Sequence, residues 1–367
     1  MNIFVEFTLW FILSEAVITA VQLPLRKKNI KPAVRVCIIV LKLLLSVALA
    51  ALPMAGPVQL RAVQPFMMAM YAALLTDAAA DIICTVVFAV SKRERRFSAV
   101  KTLSLVLGAL FFVYGVVNME TVTPKYHTYS SDKLKSEHTL VFVADLHVGS
   151  AQPFSVTEKT LAEINALNPE ATILGGDIVD DYTTKEEMEA VFTLFGEFDN
   201  PVYYLYGNHD RQGHAEYAGG RKFTQEELEA AMTENGVIIL KDEFAQLAPD
   251  LLLLGREDIT EGEGRADISA LINPDPEKYL VVADHQPVEF TENLAVGADL
   301  QLSGHTHAGQ LFPLKSLYGV IGYCYGDYTE GSAVMNVSAG ACGWRVPFRT
   351  EAHCNYEVIK LIPENTQ

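Results

Sequence analysis

Four apolar runs follow one another in the first 118 residues: Ile3 to Leu23, Val36 to Ala55, Phe66 to Val90, and about Ser98 to Asn118. Each approaches the ~20 residues that an α-helix needs to cross about 30 Å of hydrocarbon. They show hardly any polar face, so membrane helices are predicted in place of the buried helices of a soluble domain. The rest of the chain is different in kind. Residues 1–118 hold 12 Lys and Arg against 5 Asp and Glu, whereas residues 119–367 hold 16 against 40. That acidic body lacks the cationic surface that broad nucleic-acid binding requires, and no nucleic-acid partner is expected. Three parts are predicted: a transmembrane region over 1–118, a membrane-proximal connector over 119–138, and an α/β domain over 139–367.

The short loops set an expected topology. Arg26, Lys27, Lys28, Lys31 and Arg35 separate the first two runs; Lys92, Arg93, Arg95 and Arg96 separate the last two. The second loop has only Arg61. The positive-inside rule places both basic loops in the cytoplasm. A multi-pass membrane protein follows, with both termini and the acidic domain outside the cytoplasm. Met1 to Glu6 carries no basic side chain, so the first run is expected to remain as an anchor and not to act as a signal peptide. Within the runs, Asp77 and Asp81 are four apart and share a helix face, where Lys42 could pair with them. Such charges are costly in hydrocarbon; a structural ion pair is the favoured reading over a transport role.

From Thr139 onward, strand-like runs alternate with helical ones, which implies α/β architecture. Predicted strands are 139–144, 171–174, 201–206, 237–240, 251–254, 279–283 and 333–337, and predicted helices are 156–167 and 185–198. Thr224 with Glu227 makes a capping box for another helix. Four strand-like runs stop on metal-ligand residue types: Asp145-Leu146-His147, Gly176-Asp177, Gly207-Asn208-His209-Asp210, and Gly304-His305-Thr306-His307. Open α/β sheets build their sites at the carboxyl ends of strands. Gly304, with no Cβ, permits close backbone approach at the last of these.

Asp145, His147, Asp177, Asn208, His209, His285, His305 and His307 together offer carboxylate, imidazole and amide groups and no thiolate. This set suits Mn, Fe or Zn in a reactive site better than a structural zinc, with Mn favoured. It is too large for one ion and sufficient for two. A carboxylate can span two cations, and water between them has its pKa lowered to near neutral. Two divalent cations would also offset the acidic domain's repulsion of an anionic phosphate.

The order Asp-x-His, Gly-Asp-x-x-Asp, Gly-Asn-His-Asp, His, Gly-His-x-His resembles the calcineurin-like metallophosphoesterases. Here it reads Asp145-His147, Gly176-Asp177 through Asp180, Gly207 to Asp210, His285, and Gly304 to His307, within about Thr139 to His307. The run Ser303 to Gln310 is similar to a membrane-tied or exported bacterial subgroup, some of whose relatives cleave lipid-linked phosphoesters or pyrophosphates. The resemblance does not extend to residues 1–118. It implies a β-sandwich flanked by helices (αββα) and a metal-dependent hydrolase acting on phosphoric esters. Asp145, His147 and His307 would hold one metal; Asn208, His285 and His305 the other; Asp177 would bridge. His209 would serve the leaving oxygen, oriented by Asp210. The substrate would be a phosphomonoester, phosphodiester or pyrophosphate, a lipid headgroup among the candidates.

Other roles are open on sequence alone. Asp180 could orient a ligand histidine or cap the next helix. Arg211, His214, Arg345 and Arg349 could meet substrate phosphate or be solvated loop charges, and Gln310 has no derivable role. One Cys342–Cys354 bridge is left open, although five cysteines without CxxC do not make a disulfide framework. Against the hydrolase stand a binding module that keeps the fold without catalysis, and a transmembrane sensor or transporter with a regulatory metal-binding domain.

Overall fold

A computed structural model describes residues 3–25, 30–55, 64–92, 96–271 and 275–364. Arg26, Lys27, Lys28, Arg61, Arg93 and Arg95 of the topology argument lie outside the described residues. The chain divides into two compact units: Met1–Val117 with Leu311–Leu314, and Asn118–Gln310 with Lys315–Gln367.

The first unit is built on helices α1 (Ile3–Gln22), α2 (Pro32–Ala55), α3 (Gln64–Val90) and α4 (Phe97–Met119). α2, α3 and α4 are long and apolar enough to cross a membrane. α1 has a shorter apolar stretch, Phe7–Gln22, about 24 Å at 1.5 Å per residue. Lys42 Nζ lies 2.7 Å from both Asp77 and Asp81, so the expected pairing across α2 and α3 is present. Two further helices join this network: Lys101 Nζ is 2.6 Å from Asp77, and Ser104 donates to Glu15 at 2.6 Å. Mutual pairing lowers the cost of charge in hydrocarbon and ties α1 through α4 together.

The second unit contains β1 (Val122–Ser131), β2 (His138–Val143), α5 (Phe154–Ala166), β3 (Ala171–Leu174), α6 (Lys185–Gly196), β4 (Val202–Tyr204), α7 (Gln225–Glu234) and β5 (Ile238–Ile239). It continues with β6 (Glu243–Ala248), β7 (Leu251–Gly255), β8 (Tyr279–Ala283), α8 (Phe290–Ala295) and β9 (Leu300–Ser303). α9 (Leu314–Ile321), β10 (Gly326–Glu330), β11 (Ala333–Val337) and β12 (Cys354–Pro363) follow. One sheet runs β1-β12-β2-β3-β4-β5, the other β10-β11-β9-β8-β7-β6. Alternation along each strand divides the core between the layers. Leu140, Phe142, Ile173, Leu251, Leu253, Val281, Leu300 and Leu302 fill the space between the sheets. Val141, Val143 and Leu174 face Leu161, Ile164, Met188, Phe192 and Leu228 of the covering helices. This is the helix-flanked sandwich that the resemblance implies, built from the α/β alternation read in the sequence. The α6 and α7 helices both open on complete capping boxes, Thr184–Glu187 and Thr224–Glu227.

The segment read as a connector carries the edge strand β1, paired in parallel with β12 from Val122 to Ser131. His127 on β1 accounts for part of its seating. Its Nε2 lies 2.8 Å from Glu357 on β12, and its Nδ1 lies 3.6 Å from Asp327 on β10 of the other sheet. Burial works against the imidazolium, but the two carboxylates outweigh it and raise the pKa from 6.5 to about 9. A raised folded pKa contributes stability that is whole below pH 6.5 and is lost as pH rises through 9. The midpoint of thermal unfolding should therefore fall over this window by more in the native chain than in His127→Gln. Parallel pH dependences in the two would remove the pair from the account.

Candidate metal centre

Strands β2, β3 and β4 are parallel neighbours in one sheet, and β8 and β9 in the other. Their carboxyl ends deliver Asp145 and His147, Asp177, Asn208, His285, and His305 and His307 to one place. Ligand atoms of Asp145, His147 and His307 lie within 4.8 Å of one another, as do those of Asp177, His285 and His305. Asp177 Oδ2 reaches both groups, at 3.6 Å from His147 Nε2 and 3.2 Å from His285 Nε2.

The backbone is bent to achieve this. Asp145, His147, Asp177, His305 and His307 all have positive φ, between 40° and 70°. Non-glycine residues rarely adopt that region, and strain of about 1–3 kcal/mol per residue persists where the surroundings over-determine it. Here strained residues and candidate ligands coincide. Glycine is needed beside them: a Cβ on Gly304 would strike the Asp145 carboxylate, and one on Gly207 the Asp177 carboxylate.

The donor set fits cations on its own chemistry. His147 Nδ1 faces Asp180 at 3.2 Å, and His307 Nδ1 faces the Cys342 carbonyl at 3.3 Å. Those partners accept hydrogen bonds, so both imidazoles carry their proton on Nδ1 and present bare lone pairs at Nε2. The two Nε2 atoms are 3.1 Å apart. His285 behaves alike: Nδ1 donates to the Gly175 carbonyl at 2.8 Å, leaving Nε2 beside the Asp177 carboxylate. Buried His285 Nε2 and Asn208 Oδ1 have no hydrogen-bond partner among the described residues. Such atoms cost about 1–3 kcal/mol each unless something binds them. Lone pairs and carboxylates converging in a buried space are satisfied by positive ions. Burial pushes the Asp145 carboxyl above its ordinary range; the His285 charge opposes this and the Asp177 charge adds to it.

Several supporting residues differ from expectation. Asp210 does not orient His209. Its oxygens accept from the backbone N–H groups of Gly207 (2.6 Å), Asp177 (2.8 Å), Ile178 (2.9 Å) and Val179 (3.1 Å), which clamps the β3 and β4 loops together. Asp181 holds the His209 Nδ1, at 3.0 Å. Sequence reasoning missed it because its signal is only a second carboxylate beside Asp180. Asp180 itself faces Nδ1 of the candidate ligand His147. Arg211 forks onto Glu257 at 3.0 and 2.7 Å and stacks on Tyr206, so it is committed away from substrate. Arg349 is fully buried and donates to the carbonyls of Ala352, Ala308 and Ala339, a loop clamp and not a phosphate contact.

Gln310 gains a role: it accepts from Trp344 N–H and donates to the Trp344 and Val346 carbonyls. The indole so held lies 5.7 Å from the His209 ring, with Arg345 stacked over it and His214 6.0 Å from His209. The Cys342–Cys354 bridge does not form. Both are free and buried, and Cys354 Sγ faces the Met119 carbonyl at 3.3 Å.

Residues 138–309 match the family model of the calcineurin-like phosphoesterases. The chain carries a calcineurin-like phosphoesterase domain. An uncharacterized metallophosphoesterase of Helicobacter pylori strain J99 is 28% identical over 249 residues, covering 64% of this chain and 62% of that protein. One from Campylobacter jejuni is 24% identical over 294 residues, 77% of this chain and 76% of its own. That share exceeds what residues 119–367 make up, so the similarity reaches from the phosphoesterase domain into the apolar helices. A zebrafish (Danio rerio) transmembrane protein with metallophosphoesterase domain is 26% identical over 275 residues, 71% of this chain and 62% of that one.

Proposed function

We propose that the protein is a membrane-anchored phosphoesterase that uses two divalent metals to hydrolyse a phosphate ester. The observation that carries this reading is the pair of buried ligand groups sharing Asp177 Oδ2. Asp145, His147 and His307 would hold one cation, and Asn208, His285 and His305 the other. Two such ions supply a water nucleophile at neutral pH and neutralise charge building on the phosphoryl oxygens. Asp180 fixes the His147 ring through Nδ1, and His209 offers Nε2 for protonating the leaving oxygen because Asp181 occupies Nδ1. Mn is favoured for this N/O set, and a lipid headgroup is the preferred substrate, since an anchor concentrates the domain at the bilayer. The test is metal-dependent hydrolysis of aryl phosphodiesters and monoesters by the full chain in detergent. Metal-loaded protein without any hydrolysis above background would sink the assignment.

The basic loops support a reading in which the phosphoesterase domain lies outside the cytoplasm. Lys159 on α5 is well exposed, with 78% of its side chain accessible. A Lys159→Cys protein, with the exposed Cys37 changed to Ser, should react with an impermeant thiol reagent on intact cells. Protection until lysis would reverse the orientation.

A further inference from the structure

We propose that α9 is a bilayer-docking element of the phosphoesterase domain, seating its apolar face in the boundary between headgroups and acyl chains. α9 and the turn after it expose Leu317 (47%), Val320 (84%) and Tyr323 (42%). Leu317 and Val320 are three apart and share a face of the helix. Large apolar side chains exposed to water need a partner, and two arguments identify it as lipid. The first is charge. Leu311 to Gly326 contains one lysine and no carboxylate, in a domain with 40 carboxylates. An otherwise acidic surface would be repelled by anionic lipids, and this stretch is the kind of patch that would not be. The second is composition. Tyr is favoured at membrane interfaces, and a lysine stem can lie along apolar surface with its head towards phosphates. Lys315 Nζ sits 4.4 Å from the centre of the Tyr325 ring.

The docking element is joined directly to the metal centre. α9 begins seven residues after His307, and the intervening Gln310 holds the loop that carries Trp344 beside His209. If the phosphoesterase reading holds, a phosphoester carried on a lipid is delivered where the leaving-group histidine lies. A soluble phosphoester gains nothing from the contact.

The full chain in nanodiscs of phosphatidylcholine and phosphatidylglycerol tests this. An environment-sensitive nitrobenzoxadiazole probe is placed at Val320→Cys or, as control, Lys159→Cys, in a Cys37→Ser background. Val320 fluorescence should shift to the blue and be quenched about threefold or more by doxyl-labelled lipid, with the control unaffected. Emission as in water would overturn the proposal. So would a blue-shifted but unquenched probe, which marks a protein partner or a second copy of the chain. Leu317→Glu with Val320→Glu should lower hydrolysis of a bilayer-embedded lipid phosphoester about tenfold and leave a soluble aryl phosphodiester unchanged. Equal losses on both would count against docking. A chain inactive on either substrate would defeat the phosphoesterase reading, whereas the quenching result stands without catalysis.

Discussion

Asp177→Asn is expected to leave the phosphoesterase domain folded and remove its activity altogether. The amide preserves shape and can still accept from His209 N–H, as Asp177 Oδ1 does at 2.8 Å. It loses the negative charge that both ligand groups share. Two unit charges at 4 Å repel by about 4 kcal/mol at an effective dielectric of 20, hence about 16 kcal/mol for two dications. Without the bridging anion the remaining ligands cannot offset that repulsion, and the second ion should be lost. Elemental analysis of purified protein should show the metal content fall from two per chain to one or none. Aryl phosphodiester hydrolysis should fall to background, with circular dichroism unchanged. Retention of both metals and of activity within tenfold would show that the two groups do not share this carboxylate.

The site was more legible than its support, for a physical reason. β2, β3 and β8 are buried on both faces and read as short apolar runs, β9 reads as a short alternating one, and each run's end marks where ligand-type residues emerge. The polar edge strand β10 (Gly326–Glu330) has no such signature, and β6 (Glu243–Ala248) is half polar; neither was predicted. Supporting contacts are set by how loops fold back, which local pattern does not record. Asp210 illustrates this: adjacency to His209 suggests an orienter, yet its carboxylate turns to the backbone of the β3 loop 30 and more residues earlier. Asp181 reaches His209 across the same loops. Arg349 looks like a free cation in sequence and is consumed by carbonyls. The helix α9 interrupts a stretch with Pro313 and Gly319, which reads as loop.

His209→Gln should lower the rate of hydrolysis by about 10²–10⁴, the usual loss when a general acid is removed. The variant should still bind two metals, because His209 touches Asp177 only through its backbone N–H. Leaving-group dependence separates this role from a structural one. Esters of good leaving groups, such as p-nitrophenol, need little protonation and should lose the least; alkyl esters should lose the most. Asp181→Asn should follow the same ranking with a smaller loss, about 10–100-fold, because the ring keeps its place but not its anchored tautomer. Asp210→Asn should not rank with leaving group, since that carboxylate holds backbone and does not touch His209. A uniform loss across leaving groups in His209→Gln would assign the histidine to packing against Trp344 and remove it from the chemistry.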